Sequence, residues 1–324
     1  MYKKQIVTLI SAMATGVLPV AVPLAAAQGY PSKPVRVVVP FAPGGGSDIT
    51  ARQFSQKLSE GLKQQFVVDN RGGAGGLIGM EMVAKAQPDG YTIMMMSASF
   101  AATSALHQPS WAPIKSIVPV VEFGSTPFVL VVHPSVKAGN AKELVALMSA
   151  KPNGQTYAST GLGGITHLAT ELLMNMTKTQ MVHVPYKSTG AALVDLLAGQ
   201  APIMMGSMLP VVPHIQAGKL RGLAVTTPKR WYSLPDIPVL ADTVPGYNVE
   251  LWFGVMAVAG TPPAIINQLN SVINRALETP EMKKGLEKDG MIPTGGTPDK
   301  FAQRINNDYN NWIKVIKSAN IKAN

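Results

Sequence analysis

Short β-branched runs alternate with segments of helical periodicity along this chain, and the alternation occurs twice in the same grammar. Residues 35–39, 66–69, 91–95 and 118–123 have strand character. Between the first two, Ala51, Phe54, Leu58 and Leu62 recur at helical spacing, with Ser47 or Asp48 in position to cap the helix. A second series starts at residues 128–133. A helix opened by Asn140 with Glu143 three residues on leads to a strand near Tyr157 and a helix carrying Leu168, Leu172 and Met176. A strand at 182–184 then leads to a helix with Leu193, Leu196 and Leu197 on one face, closed by Gly199. Further strands follow near Ile203, at 222–226 and at 252–258, and two helices end the chain, capped by Thr261 and Thr297. Alternation of this kind specifies an α/β fold.

The chain has 324 residues, beyond the size at which one core stops growing. Two lobes are expected, with the chain crossing between them near residues 124–127 and again near 250–254. The resulting division is 28–124 plus 252–324 for the first lobe and 125–251 for the second, and small ligands favour the cleft between such units. Residues 1–27 read as a secretory leader: Lys3 and Lys4, a mostly apolar stretch, then Ala25, Ala26 and Ala27. Gly16, Pro19 and Pro23 interrupt that stretch, which argues against a membrane anchor. Cleavage near Ala27 would place the mature protein in the periplasm. The chain has no cysteine, hence no lipid anchor, disulfide or thiolate metal site.

Loss of the leader removes two lysines and no acids, leaving +8 of the formal +10. Charged residues are 14% of the chain and aromatics 6%, with no Lys/Arg run, so nucleic acid is excluded as a partner. The positive balance suits steering of small anions toward a cleft.

The turn Phe41-Ala42-Pro43-Gly44-Gly45-Gly46-Ser47-Asp48 joins a strand to a helix. Glycines there leave backbone N–H groups bare at a helix start, which is an anion site. Asp48 would repel an anion unless its carboxylate is occupied in capping. Nucleotide binding fails on detail: no lysine follows the glycines, and the dinucleotide spacing breaks at Ile49. The same strand-turn-helix device recurs at residues 157–167, with Ser159 and Thr160, and at 185–191, with Tyr186, Lys187, Ser188, Thr189, Gly190 and Ala191. Lys187 adds charge if it turns inward. Three such turns in two lobes point to one shared cleft.

Enzymatic alternatives are poorly supported. The five histidines show no local metal-ligand pairing, and neither H-E-x-x-H nor G-x-S-x-G occurs. A hydrolase using Ser159 with His167 is the enzyme reading left open. No cofactor and no metal are expected, and the 17 methionines read as core.

The strings V-P-F-A-P-G-G-G-S-D, N-R-G-G-A-G-G-L-I-G, A-Q-P-D-G-Y-T, H-V-P-Y-K-S-T-G-A-A-L-V-D-L-L-A-G-Q and H-I-Q-A-G-K-L-R-G-L-A-V-T occur in order along the chain. With them the chain resembles the Bug-type receptors of tripartite tricarboxylate transporters. The resemblance implies a two-lobed, type II-like periplasmic binding fold, a Venus flytrap with a mixed sheet flanked by helices in each lobe. It implies a monomeric receptor, not an enzyme, that closes on a small organic carboxylate and delivers it to membrane permease subunits; a sensor role, presenting ligand to a membrane kinase, is the alternative. It also implies that two loops, here Phe41 to Asp48 and Tyr186 to Ala191, grip one carboxylate, partly through water. Ser159, Thr160 and Asp195 match further positions near the pocket, and Ser97 and Ser99 are wall candidates. One departure stands out: after Gly199-Gln200 the family often carries acidic residues, where this chain has residues 201–208 without any. Ser207 and Met208 are therefore expected to make the distal pocket neutral and partly apolar, suited to an aromatic diacid such as terephthalate.

Overall fold

The computed structural model describes residues 29–323, so the leader and its cleavage point lie outside it. The first series is β1 (Val35–Val39), α1 (Gly46–Leu62), β2 (Phe66–Asn70), α2 (Leu77–Ala84), β3 (Thr92–Ser97), α3 (Ser99–His107) and a short α4 (Pro113–Ser116), leading into β4 (Ile117–Val132). The second is α5 (Ala141–Ala150), β5 (Thr156–Ser159), α6 (Ile165–Thr177), β6 (Val182–Pro185), α7 (Thr189–Leu197), β7 (Ile203–Ser207), α8 (Met208–Gln216) and β8 (Arg221–Val225). The chain returns through β9 (Glu250–Val258) to α9 (Pro263–Glu278), α10 (Pro280–Lys288), β10 (Ile292–Pro293) and α11 (Pro298–Ala319).

Strands run in the order β2-β1-β3-β9-β4-β7-β5-β6, with β8 and β10 also on β4. The β1, β2 and β3 ladders are parallel, as are those of β5 with β6 and β7, whereas β4 and β9 run antiparallel to their neighbours. This is the expected α/β periplasmic-binding-protein fold with mixed sheets. Val35, Val37, Val38 and Val39 of β1 and Ile93 to Met96 of β3 are buried throughout, the run expected of strands covered by helices on both faces. Methionines 94, 95, 96, 204, 205 and 256 belong to this core.

The strands expected at 118–123 and 128–133 are one strand. Along β4, Ile117 to Pro127 pairs with β9, while Phe128 to Val132 pairs with β7 and β8. Register shifts between Pro119 and Val121 and between Glu122 and Gly124 absorb the residues that break the strand pattern. Between α9 and α11 lies α10, whose lysine-rich sequence hid it; Thr279 caps it by accepting from the Met282 N–H at 3.3 Å. The caps at Asn140 and Thr297 are as expected, with Asn140 accepting the Glu143 N–H at 2.9 Å and Glu143 returning to the Gly139 N–H. Thr261 does not cap α9; its hydroxyl donates to the Val258 carbonyl at 2.8 Å, and the helix starts after Pro262. Among the described residues, no helix is long and apolar enough to cross a membrane.

One core position of β4 is costly. Glu122 is 7% exposed, its Oε1 has no hydrogen-bond partner, and burial pushes its carboxyl up to about 7, opposed by Arg304 and assisted by Glu250 and Asp308. The folded chain therefore holds this proton over a pH range in which the unfolded chain has released it, and stability falls as pH rises from about 4.5 through about 7. Glu122→Gln should remove that dependence and stabilise the protein at pH 8 by about 1–3 kcal/mol in urea unfolding, with little gain at pH 4.

Candidate functional site

In an open α/β sheet, ligands bind beyond the carboxyl ends of the parallel strands. Here those ends are β1, β3, β5, β6 and β7, and each runs into the start of a helix. Gly45, Gly46 and Ser47 at the start of α1, Ser97 and Ser99 at α3, Ile165 and Thr166 at α6, Ser188 and Thr189 at α7, and Ser207 ahead of α8 line one narrow cavity with about 30 Å³ open to water. Phe41, Phe128, Leu251 and Phe253 form its apolar wall, and Thr160 completes the lining. Among the described residues, no charged side chain lines it.

The helix starts supply the polarity. The first N–H groups of an α-helix have no partner within it. Those of Gly46 and Ser47 in α1, and of Thr189 and Gly190 in α7, find none elsewhere among the described residues. The two turns touch across the cleft: the Ala42 N–H donates to the Lys187 carbonyl at 3.0 Å, and Ser188 Oγ donates to the Pro43 carbonyl at 3.3 Å. Their glycines make the approach possible. A Cβ at Gly190 would lie 2.8 Å from the carbonyl carbon of Gly44, and one at Gly45 would lie 3.4 Å from the Thr189 nitrogen. A second seam joins the Ile165 N–H to Ser99 Oγ at 3.1 Å, and Thr103 Oγ1 to the carbonyls of Gly75 and Gly163 at 2.8 and 3.2 Å. The cavity is thus closed between the two halves of the molecule, with paired positive helix ends facing inward.

Asp48 does not face the cavity. The cap of α1 is Gly45, not Ser47 or Asp48, and the Asp48 carboxylate reaches back to the Gly44 N–H at 3.0 Å, to Asn70 Nδ2 at 3.1 Å and to Arg52 at 2.9 Å. Burial would raise its pKa, but these three donors hold it below the usual carboxylate range. The negative charge is neutralised behind the turn, and the front is left to bare N–H groups.

The family model described as "Tripartite tricarboxylate transporter family receptor" matches residues 50–321. The chain belongs to that receptor family. BugT of Bordetella pertussis is 36% identical over 307 residues, 94% of each chain. A solved structure of a periplasmic transporter is 39% identical with a TM-score of 0.87, spanning 91% of this chain and 100% of its own. The structure of R. palustris Rpa4515 with adipate is 34% identical with a TM-score of 0.86, over 90% and 99% of the two chains. The family is one of periplasmic binding proteins, not enzymes, and the receptor is a solute-binding component.

Several residues expected at the receptor's pocket are placed elsewhere. Lys187 is exposed and contributes its carbonyl, not its charge. Burial, and then the hydrogen bond to Asp195 at 2.6 Å, push the Tyr186 phenol up to about 12; the pair braces α7 outside the lining. Ala191 is exposed, its N–H taken by Ser188 Oγ at 3.2 Å, and Gly190 serves the contact with Gly44. Met208 packs away from the cavity, near Gly290. Ser207 does line the cavity, but beside the glycine turn and not at a far end: a Cβ at Gly46 would stand 3.3 Å from its Oγ.

Ser159 is buried, 2.6 Å from His183 Nε2 and not paired with His167. His167 accepts the Gly163 N–H at 3.3 Å and packs on His183, and burial lowers the two imidazoles to about 3 and about 4. None of the three residues lines the cavity, and Ser159 pairs with His183 instead of His167, so the expected Ser159–His167 pair is not formed. The apolar wall residues Phe128, Leu251 and Phe253 were missed. Their signal was the expected crossing points: Leu251 and Phe253 lie within 250–254, and Phe128 directly follows 124–127.

A Cβ at Gly46 would also stand 3.2 Å from Phe253 Cζ, so a branched side chain there fills the mouth of the α1 N-terminus. Gly46→Val should abolish the thermal-shift response to organic acids, a loss of at least ~100-fold for two charge-assisted hydrogen bonds. The ligand-free midpoint should stay within about 4 °C of the parent. An undiminished response would refute the role of this helix start.

Proposed function

We propose that this receptor captures a small organic carboxylate in the periplasm, closes its lobes over it, and presents it to the membrane permease subunits of a tripartite tricarboxylate-type transporter. The carrying observation is the convergence of the α1 and α7 starts on a cavity with no charged side chain. An oxyanion fits such a site because unpaired N–H groups and aligned peptide dipoles supply positive potential without a counter-ion. The adipate in the Rpa4515 structure is consistent with it. In this reading Gly46 and Ser47, with Gly45 ahead of them, form one arm of a carboxylate clamp, and Thr189 and Gly190 the other, while Ser188 ties the two turns together.

The change of strand partner within β4 at Pro127 and Phe128 supports lobes of 28–124 plus 252–324 and of 125–251, hinged on β4 and β9. Residues 1–27 act as the export leader, cleaved near Ala27, and the mature receptor works as a monomer. The formal +10 on the whole chain, two of it in the leader, favours anion encounter.

The finer reading is a diacid with a flat apolar body, such as terephthalate. Its support is the wall of Phe41, Phe128, Ile165, Leu251 and Phe253, in place of the methionine expected from sequence. Calorimetric titration with terephthalate, adipate, citrate and glutamate tests both levels. Terephthalate or adipate should bind at least ~10-fold tighter than glutamate, whose ammonium would be buried without a partner. A preference for citrate or glutamate would contradict the proposal.

A further inference from the structure

We infer that Glu122 is a proton site coupled to the ligand cavity: the closed arrangement keeps a proton on Glu122, and its loss draws Arg304 off Glu250 and weakens carboxylate binding. The inference rests on the carboxylate-receptor reading above and adds to it a second, linked ligand, the proton.

The coupling runs through β9, whose two faces serve different neighbours. Leu251 and Phe253 line the carboxylate cavity. Glu250, Trp252 and Gly254, on the alternate face, all meet α11. Glu250 binds Arg304 at 2.6 Å, the Trp252 indole N–H donates to Asp308 at 2.6 Å, and Gly254 lies against Phe301, whose ring would meet any Cβ there. Glu122 of β4 is paired with Gly254 and so shares that face. A groove with about 350 Å³ open to water runs between α6 and α11 along the cluster. Glu250, Arg304 and Asp308 line it, and its Ile165 also lines the carboxylate cavity.

Glu122 is the member of the cluster without a partner. It is 7% exposed, and among the described residues neither its Oε1 nor Arg304 Nε makes a hydrogen bond. The charges that bear on it are Arg304, Asp308 and Lys300 of α11 and Glu250 of β9. The other packed elements reach β4 with groups that do not ionise: α9 through Asn270, β10 through Ile292 and Pro293, and α1, on the opposite face, through Phe54 against Phe123.

Three carboxylates therefore share one guanidinium. With Glu122 protonated, Arg304 serves Glu250 and Asp308, as the structure shows. An ionised Glu122 is a buried charge without a partner, which is costly, and Arg304, with its Nε free, is the cation able to relieve it. Turning to Glu122 takes Arg304 from Glu250, which starts β9 opposite Pro127, where β4 changes partners. Burial raises the Glu122 carboxyl to about 7 in this arrangement, within the neutral range. A ligand that favours the arrangement with the raised pKa binds with proton uptake, so its affinity falls as pH rises toward and through that value.

Calorimetry tests this with the tightest binder among adipate, terephthalate, citrate and glutamate, at about pH 6, 7 and 8 in two buffers of different ionisation enthalpy, the ligand's own ionisation being subtracted. Affinity should fall about 5-fold or more from the lowest pH to the highest, and near neutrality binding should take up about half a proton. Glu122→Gln should abolish the uptake and flatten the profile. Glu250→Gln, which frees Arg304, should move the fall to lower pH, and it carries the comparison if Glu122→Gln fails to fold by circular dichroism. A flat profile without proton uptake in the parent, uptake that persists in Glu122→Gln, or an unshifted fall in Glu250→Gln would overturn the proton site and leave the carboxylate receptor standing. Absence of binding by all four acids at every pH would overturn both.

Discussion

Unpaired backbone N–H groups at the starts of α1 and α7 are the interaction on which this receptor depends. The parallel strands β1, β3, β5, β6 and β7 end at the cleft and the helices that follow them begin there, so the topology points several positive helix ends into one space. Such a site needs no lysine or arginine, and none lines it. It also needs its own negative charge kept away, which explains the effort spent on Asp48. That carboxylate is held behind the turn by Gly44, Asn70 and Arg52, where it fixes the glycine turn in place without opposing an anion at its front.

Closure follows from the same glycines. Gly44 against Gly190, and Gly75 against Gly161 and the carbonyl of Leu162, bring backbone onto backbone at distances that a Cβ would forbid. The seams at the cavity are therefore main-chain hydrogen bonds and small hydroxyls, while behind it one buried apolar cluster runs through both halves. Main-chain and hydroxyl contacts of that kind are individually modest. The two segments crossing between the halves, β4 and β9, are paired with each other, and β4 changes partners from β9 to β7 and β8 between Pro127 and Phe128.

How much of this was legible in the sequence follows from how local each signal is. The glycine turn, the recurring strand-turn-helix device and the caps at Asn140 and Thr297 are written in neighbouring residues, and the structure agrees with them. Side-chain direction at a strand end is not local: Tyr186 turns to Asp195 nine residues on, and Lys187 to solvent, because α7 occupies the cleft side with its own N-terminus. Ser207 was recognisable as a pocket residue, but its place beside Gly46 is set by how the halves close. Phe128, Leu251 and Phe253 read as core strand residues, and only the pairing of β4 with β7 at Phe128 and with β9 at Leu251 and Phe253 brings them to the cavity. Gly124 and Pro127 look like strand breakers, yet β4 runs through both, with a register shift just before Gly124 and a change of partner just after Pro127 that no periodicity announces.

The most direct measurement is a crystal structure of the mature receptor grown with adipate. One carboxylate should sit within hydrogen-bond distance of the N–H groups of Gly46 or Ser47 and of Thr189 or Gly190, with no lysine or arginine touching it. A carboxylate held by a basic side chain, or a ligand bound outside the cavity between the two turns, would contradict this reading of the site.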